Sequence, residues 1–323
     1  MNIKKLPIRE IKVDDSRFSL SGILFTDEEP SVSVNVSFER LGIFQPLIVQ
    51  QNRDGNCHLV DGYKRIESAV KDNVQNIDAM ILPQDTATED ILLLLLYDNR
   101  AIIESSVMNR LQFIQFSLSF GGNHSWIQET LCVSFGFRPY KDFFQDIQEI
   151  MKMPVSLRMF CHEKKYSMKQ ILNLTHYPVN LMKQILEWRG ILQLTASVLD
   201  EIASNLGDYL KSENKGVEDF VNEDEVQEIM DSSLSPRNRT ERLRRLIYER
   251  RFPTLISVNG RIEKQVEKLG LPPSINIQWD RTLENKNVEL ALHIRDANQW
   301  PEILKKINSE EVKKAIEDIL AEL

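Results

Sequence analysis

The stretch GIFQPLIVQQNRDGNCHLVDGYKRIESA, residues 42–69, decides the fold of the N-terminal part of the chain. Phe44 and the run 47–49 predict a buried strand, because short apolar runs with β-branched residues are typical of buried strands. Asp54-Gly55 predicts a tight turn, since glycine supplies the positive φ that a hairpin needs. Residues 58–60 then form the return strand, and we expect an antiparallel hairpin.

The return strand stops at Asp61-Gly62, and the spacing of apolar residues predicts a helix over residues 63–71. Lys64 and Arg65 lie in its first turn. The free backbone N–H groups, the helix dipole and these two cations favour an anion at this point, and phosphate is the expected anion. The alternative is that Gly62 only closes a turn while both cations are solvated, and the residues alone leave both interpretations open.

The order of these features resembles the ParB/sulfiredoxin-like domain of ParB partition proteins. Gly42-Ile43-Phe44-Gln45-Pro46-Leu47-Ile48-Val49 matches the family strand "GxxQP[IL]-V", and Gly62-Tyr63-Lys64-Arg65-Ile66-Glu67-Ser68-Ala69 matches the phosphate motif "G-E-R-R-x-x-A". Tyr63 and Lys64 depart from that motif, and lysine keeps the charge but loses bidentate phosphate geometry. The resemblance implies that a nucleotide, CTP in this family, is held by Gln45, Gly62, Lys64 and Arg65.

A helix that starts at Thr88 is predicted to be apolar all round over residues 91–97, hence deeply packed, and to close at Asp98-Asn99-Arg100. ParB proteins carry "E-N-x-x-R" here, whose acid and amide hold Mg²⁺ on the nucleotide phosphates. The resemblance therefore implies that Asp98 and Asn99 are metal ligands, although Arg100 comes early and the family's following acidic pair is absent. The alternative is a helix C-terminus with an asparagine stop.

The sequence of the central part of the chain, residues 106–174, predicts helices. A helix is predicted over residues 106–118, a capping box at Ser125–Gln128 opens a short helix, a glycine turn follows, and Arg138-Pro139 opens the next helix, which runs to residue 152. This is a helix-turn-helix layout, and residues 126–174 resemble that of ParB. Base-reading side chains at the N-terminal end of its second helix would be Arg138, Tyr140, Lys141 and Gln145. The alternative is a module used only for packing.

An acidic stretch over residues 213–231 is taken as a domain boundary. The helix predicted after it, residues 237–251, holds seven arginines (Arg237, Arg239, Arg242, Arg244, Arg245, Arg250, Arg251) against Glu241 and Glu249. Seven guanidinium groups exceed what two glutamates pair, which favours a phosphate-facing stripe that includes Arg242, Arg244 and Arg245. The alternative is a solvated helix face.

Two alternating strands, residues 274–279 and 288–294, predict a hairpin near the end of the chain, followed by two helices. Its uncovered edges favour pairing with a second copy, so a homodimer is expected. The predicted fold class is α+β. The domains are a ParB/sulfiredoxin-like mixed domain (1–104), an all-α helix-turn-helix domain (105–212), an acidic linker (213–236) and a small C-terminal α/β domain with the two-stranded hairpin (237–323).

The composition is that of a globular protein, with 42% hydrophobic residues and a formal net charge of −8 over 323 residues. An acidic chain is on average unfavourable for DNA, so DNA binding would need local basic surfaces. We find no apolar run near the ~20 residues of a membrane span and no signal peptide. Three cysteines without C-x-x-C spacing suggest a reducing cytoplasm and no zinc site.

The resemblance, which covers about residues 1–205, implies a DNA-binding protein of chromosome or plasmid partition, cytoplasmic and nucleoid-associated. It would bind CTP and Mg²⁺, with weak CTPase activity compatible with that site, and a partition ATPase as a further partner. One alternative is a ParB-fold nuclease or small-molecule kinase with Asp61 or Glu67 as the general base. Another is a transcription regulator whose nucleotide site has decayed. Sulfiredoxin activity is rejected, because the phosphate turn contains no cysteine.

Overall fold

The structure, a computed structural model, describes residues 2–13, 16–26 and 45–323. The sequence also predicts a helix over residues 32–41, before the central stretch. That helix and the start of the first motif, residues 42–44, lie outside the described residues. The chain divides into two compact units, Met1–Arg189 with Leu194–Asp200, and Gly190–Gln193 with Glu201–Leu323. Both units combine helices with a sheet, so the predicted α+β class is confirmed.

The first unit contains a mixed sheet with the strand order β1-β5-β3-β4-β2. Its strands are β1 (Asn2–Pro7), β2 (Ile11–Lys12), β3 (Leu47–Gln51), β4 (Cys57–Asp61) and β5 (Asn76–Leu82). β3 pairs antiparallel with β4, as the turn at Asp54-Gly55 predicts. That turn is closed by Asn52, whose side-chain oxygen accepts the N–H groups of Asp54 at 3.0 Å and Asn56 at 2.9 Å.

The helix after β4, α1 (Tyr63–Lys71), packs its apolar side on the sheet. Ile66 and Ala69 are buried there against Leu47 and Leu59. Burial of such side chains stabilises the fold by roughly 25 cal/mol per Å² of apolar surface. The core of this sheet therefore holds the ends of β3 and β4 and the start of α1 in fixed positions.

The helices that follow in the first unit are mostly short and joined by tight turns. They are α2 (Thr88–Asp98), α3 (Arg100–Ile103), α4 (Val107–Ser119), α5 (His124–Trp126, continued by a π-helical turn Ile127–Cys132), α6 (Phe143–Lys152), α7 (Val155–Glu163), α8 (Met168–Leu174) and α9 (Val179–Glu187). α2 ends at Asp98 as predicted, but it is not buried all round. Leu93 is 42% and Tyr97 79% exposed, because one face of this apolar helix lies at the surface.

Two predicted helix starts in the helix-turn-helix region are wrong. The N-cap of α5 is Asn123 rather than Ser125, since the Asn123 side-chain oxygen accepts the N–H groups of Ser125 and Trp126. α6 begins at Phe143, not at Arg138. A residue before proline is disfavoured from helical backbone angles, so Pro139 keeps Arg138 outside the helix.

α10 (Ala196–Glu213) runs from the first unit into the second, and the other elements of the second unit follow it. They are α11 (Val217–Val221), α12 (Asp224–Asp231), α13 (Pro236–Arg251), α14 (Pro253–Lys268), β6 (Ile275–Trp279), β7 (Val288–Leu292), α15 (Trp300–Ile307) and α16 (Glu310–Glu322). The acidic stretch 213–231 forms helices that bury Phe220, Val226 and Ile229. β6 and β7 pair antiparallel, so the predicted C-terminal hairpin is confirmed.

The hairpin is fastened to α14 by a buried polar contact as well as by apolar packing. Trp279 donates its indole N–H to the Asn259 side chain at 2.7 Å. The Asn259 amide nitrogen donates in turn to the carbonyl of Arg281 at 3.0 Å. Val258 and Ile319 are part of the same core. One face of the small sheet is thus covered by α14 and α16.

The three cysteines of the chain are buried in the fold. Cys57, Cys132 and Cys161 are buried free thiols, and burial raises the pKa of Cys132 to about 11 and that of Cys161 to about 12. Cys161 packs inside α7 beside His162. Within residues 2–13, 16–26 and 45–323, no helix combines the length and apolarity that spanning a membrane requires.

Candidate functional site

The guanidinium group of Arg65 is the centre of a polar cluster at the start of α1. Its Nη1 donates to the carbonyl oxygen of Pro46 at 2.6 Å, and its Nη2 donates to Asp61 Oδ2 at 2.5 Å. Asp98 Oδ2 lies 3.6 Å from the same Nη2. The Arg65 side chain is only 12% exposed. The residue before β3, the end of β4, the first turn of α1 and the end of α2 therefore meet at one guanidinium group.

Gly62 makes this arrangement possible. It is the N-cap of α1 in a left-handed conformation, φ 108°, which L side chains rarely adopt. A Cβ atom at this position would lie 2.5 Å from Leu47 Cδ2 and 3.2 Å from Arg65 Nε. Glycine is required here for both the backbone angle and the close approach of two neighbouring side chains.

Asn99 joins the two predicted motifs. It follows α2, and its Nδ2 donates to Asp61 Oδ1 at 3.1 Å and to the carbonyl of Leu95 at 3.0 Å. The structure thus brings Arg65, Asp98 and Asn99 together, although the two motifs are far apart in the sequence. The amide nitrogen of Asn99 is committed to protein acceptors, so only its oxygen is left for a cation.

The carboxyl groups of Asp61 and Asp98 lie close enough to influence each other. The pKa of Asp98 is raised by burial first and then by the negative charge of Asp61, while Arg65 lowers it. Two carboxylates around one guanidinium leave a local excess of negative charge. Carboxylate and amide oxygens are the donors that Mg²⁺ prefers, so this donor set fits a magnesium ion.

Lys64 and Gln45 belong to the same sequence motifs but are less tightly held. Lys64 is exposed in the first turn of α1 and has no ion pair among the described residues. Gln45 is exposed and directly precedes Pro46, whose carbonyl binds Arg65. Both side chains are exposed, and neither forms a hydrogen bond with another described residue.

Sequence reasoning missed the closest partner of Arg65. In the sequence Asp61 is a candidate general base, but its spacing of four residues from Arg65 is also a recognisable signal for an ion pair, and that pair is observed. The Pro46 carbonyl carries no such signal, because a backbone acceptor nineteen positions earlier in the chain is selected by the fold alone.

The four predicted base-reading residues are all exposed. Arg138, Tyr140 and Lys141 lie in the connection before α6, and Gln145 lies in its first turn. The Tyr140 hydroxyl donates to the Asp146 carboxylate. Burial, this hydrogen bond and the charge of Asp146 raise the pKa of Tyr140 to about 12. Tyr140 is thus held over the first turn of α6, while Arg138 and Lys141 extend from the loop.

Four arginines of the helix α13 form ion pairs with carboxylates, so fewer of its guanidinium groups are unpaired than the sequence predicts. Arg244 donates to both carboxylate oxygens of Glu201, at 3.0 and 2.6 Å, and also to Glu241. Arg245 pairs with Glu249. Arg250 pairs with Glu225, and Arg251 with Asp208. Three of these acidic partners, Glu201, Asp208 and Glu225, come from α10 and α12, which the local count of charges did not include.

Two arginines of α13, Arg237 and Arg242, are exposed and form no ion pair among the described residues. Arg239 donates to the carbonyl of Ser232 at 2.5 Å. Of the three arginines predicted to contact DNA phosphates, Arg242 is therefore the one that the described part of the chain leaves available.

A separate cavity of about 560 Å³ lies in the first unit, and it does not coincide with the Arg65 cluster. Gln50 and His58 of the hairpin line it, together with α2, α4 and the segment near Arg17. Its walls carry no residue of either predicted nucleotide motif. The Arg65 cluster is favoured as the functional site because it joins both motifs around one charge.

The comparisons with known proteins give remote structural likeness only. No protein-family model and no curated protein matches the chain. Similar solved structures include the C-terminally truncated chromosome-partitioning protein ParB from Caulobacter crescentus complexed to the centromeric parS site, with 14% identity, a TM-score of 0.33, and coverage of 62% of this chain and 98% of that chain.

The same truncated Caulobacter crescentus ParB complexed with CTP-γ-S has 17% identity and a TM-score of 0.25, and covers 58% of this chain and 99% of that chain. A Pnob8-like ParB-N domain has 12% identity and a TM-score of 0.34, and covers 76% of this chain and 97% of that chain. At such values the function has to be argued from the residues of this chain.

Proposed function

We propose that the chain is a ParB-like DNA-binding protein of chromosome or plasmid partition whose N-terminal domain binds CTP with Mg²⁺. The observation that carries the proposal is the cluster of Gly62, Arg65, Asp98 and Asn99. The sequence motifs that resemble the phosphate and metal motifs of ParB lie far apart in the chain. Their meeting at one guanidinium group is what a joint nucleotide and metal site requires.

Each part of the cluster has a chemical role in this proposal. The backbone N–H groups at the start of α1 and the Lys64 ammonium group bind phosphate oxygens. The carboxylates of Asp61 and Asp98 and the Asn99 side-chain oxygen hold Mg²⁺. Mg²⁺ supplies charge neutralisation between the carboxylates and the phosphates. Arg65 contributes a charge-assisted hydrogen bond to a phosphate.

DNA binding rests on local basic groups, because the chain as a whole carries a formal net charge of −8. Arg138 and Lys141 extend from the connection before α6, and Gln145 follows in its first turn. We assign base contacts to these residues, and phosphate contacts to the exposed Arg237 and Arg242 of α13. A homodimer through the open edges of β6 and β7 would double these contacts, and a partition ATPase is the further partner that this function implies.

Isothermal titration calorimetry with each of the four nucleoside triphosphates tests the nucleotide site. Titrations with and without Mg²⁺, and with and without genomic DNA fragments, are needed. CTP should bind more tightly than ATP, GTP and UTP. Its affinity should be lower without Mg²⁺ than with it. Absence of binding for every nucleotide under all these conditions would reject the nucleotide part of the proposal.

One observation favours a second candidate, a transcription regulator whose nucleotide site has decayed. Both terminal nitrogens of Arg65 already bind protein acceptors, Pro46 and Asp61, as a structural arginine would. In that case sequence-specific DNA binding would remain and would not respond to CTP. A Walker-type ATPase encoded beside this gene would favour partition over regulation.

A further inference from the structure

We propose that Asp61 is a positioning residue that withholds Arg65 from phosphate until a divalent cation takes up the carboxylates. This inference rests on the proposed nucleotide site and concerns how that site is regulated. The direct evidence is the 2.5 Å contact between Asp61 Oδ2 and Arg65 Nη2. A phosphate oxygen that binds this Nη2 atom competes with Asp61 for it.

The competition favours Asp61 when no cation is present. Asp61 lies four residues before Arg65 and is fixed at the end of β4, so its carboxylate is always within reach. Its second oxygen is held by Asn99 at 3.1 Å. The two side chains are only 12% and 15% exposed, so the pair is screened less by solvent than a surface pair would be. Phosphate must displace this bond in order to use Arg65.

A divalent cation changes the balance. Asp98 approaches the same Arg65 nitrogen to 3.6 Å, so both carboxylates face one guanidinium group. A cation bound to these two carboxylates neutralises them and weakens their hold on Arg65. Cation and phosphate then help each other to bind, and such coupling is reciprocal by thermodynamic necessity.

The test compares the full-length wild type with the variant Asp61→Asn. Asparagine removes the charge but keeps an oxygen that accepts the N–H of Asn99. Inorganic tripolyphosphate and CTP are titrated calorimetrically in EDTA and in Mg²⁺. The Arg65 Nε–H signal in ¹H–¹⁵N spectra, assigned with Arg65→Lys, reports whether the guanidinium group meets the phosphate.

The matched control is Asp72→Asn, which removes the same charge from an exposed position directly after the same helix, away from Arg65. In EDTA, Asp61→Asn should bind tripolyphosphate at least about tenfold more tightly than the wild type, because the competing charge-assisted bond is gone. The affinity of Asp72→Asn should stay within about twofold of the wild-type affinity, since exposed charges interact weakly. The increase in tripolyphosphate affinity on going from EDTA to Mg²⁺ should be smaller for Asp61→Asn than for the wild type.

Equal or weaker tripolyphosphate binding by Asp61→Asn in EDTA overturns the inference. If Asp61→Asn does not fold, Asp98→Asn is used instead, and a smaller gain in tripolyphosphate affinity is expected because Asp98 lies farther from Arg65. No gain in affinity for Asp98→Asn would then overturn the inference. Tighter tripolyphosphate binding by Asp61→Asn in EDTA, without CTP binding by either protein, rejects the proposed function but supports the role of Asp61. CTP binding that is equal in the wild type and Asp61→Asn supports the function and rejects that role. No binding of either ligand rejects both.

Discussion

Asn109 holds the backbone of Phe25 through both of its amide atoms. Its Oδ1 accepts the Phe25 N–H at 2.9 Å, and its Nδ2 donates to the Phe25 carbonyl at 2.7 Å. Asn109 is fully buried on α4, and Phe25 is 7% exposed. The Asn109 side chain thus satisfies both backbone groups of Phe25 and fixes the segment 16–26 to the helix α4.

Asn109→Ala should therefore destabilise the first unit. Two buried backbone groups of Phe25 would lose their partner, and each unsatisfied buried group costs about 1–3 kcal/mol. We expect the free energy of unfolding to fall by roughly 2–4 kcal/mol in urea titrations followed by circular dichroism. Asn173→Ala, at an exposed position in α8, is the control and should change it by less than about 0.5 kcal/mol.

Gly62→Ala should cost more stability than Gly55→Ala. Both glycines have positive φ, 108° and 82°, so alanine strains the backbone at either position. At Gly55 nothing lies within 4 Å of the added Cβ, whereas at Gly62 the Leu47 side chain lies 2.5 Å away. The extra overpacking costs about 1–3 kcal/mol, measurable as a difference between the two unfolding curves. Equal losses would show that the backbone angle alone requires glycine.

Arg65→Ala should lower both nucleotide affinity and stability. The loss of a charge-assisted hydrogen bond to phosphate should weaken binding by about 1.5–3 kcal/mol in calorimetry. The Asp61 and Asp98 carboxylates would also lose the cation between them, so the melting temperature should fall. Lys64→Ala should weaken binding without changing the melting temperature, because Lys64 is exposed. A fully stable Arg65→Ala would contradict the structural role of the cluster.

Arg242→Ala should reduce DNA affinity and its salt dependence, whereas Arg244→Ala should mainly reduce stability. Each phosphate contact contributes about −0.9 to the slope of log K against log salt. Arg242→Ala should therefore make this slope less negative by about 0.9 for each Arg242 that contacts DNA. Arg244 is held by Glu201 and is expected to contribute less. Fluorescence anisotropy at several salt concentrations measures both slopes. A larger change for Arg244→Ala would reverse the assignment.

Lys141→Ala should alter the preference among DNA sequences more than the salt slope. Lys141 lies in the exposed connection before α6, where a base contact is proposed and where the helix itself has not yet begun. Competition anisotropy with genomic fragments ranks the sequences for the wild type and the variant. A changed salt slope with an unchanged ranking of sequences would show that Lys141 contacts a phosphate. If the wild type binds no DNA even at low salt, the DNA-binding proposal is rejected.

Asp280 should stabilise the second unit in a pH-dependent manner. Its carboxylate accepts hydrogen bonds from the hydroxyl and backbone N–H of Thr282 and from the backbone N–H and side-chain amide of Asn285. These bonds lower the pKa of Asp280 to about 2. A depressed pKa in the folded state gives stability that is present above the ordinary value of 3.8 and is lost as the pH falls through about 2. Asp280→Ala should be less stable than the wild type at pH 7.

The difference between Asp280→Ala and the wild type should narrow as the pH falls from 4 toward 2, as followed by urea unfolding at each pH. Asp318→Ala, at an exposed position of α16, is the control and should show no such pH-dependent difference. A difference that is constant with pH would assign the effect to lost turn geometry rather than to the carboxylate charge.

The sequence by itself determined the local elements around residues 47–71 and 275–292. Asp54-Gly55 specified a tight turn, Gly62 a helix start, and the alternating strands before and after residue 284 a hairpin, and all of these are observed. Each depends on backbone preferences and apolar spacing over a few residues. Such short-range signals survive in almost any tertiary environment, and the α+β class follows from them.

Only the tertiary structure decided how the charged side chains are paired. Arg65 binds Pro46 and approaches Asp98, and Arg244 binds Glu201, across separations that no spacing rule predicts. The charge count of α13 left out acidic partners that α10 and α12 supply, because electrostatic pairing depends on distance in space. The Arg65 cluster exists for the same reason: the chain path brings β4, α1 and the end of α2 to one point.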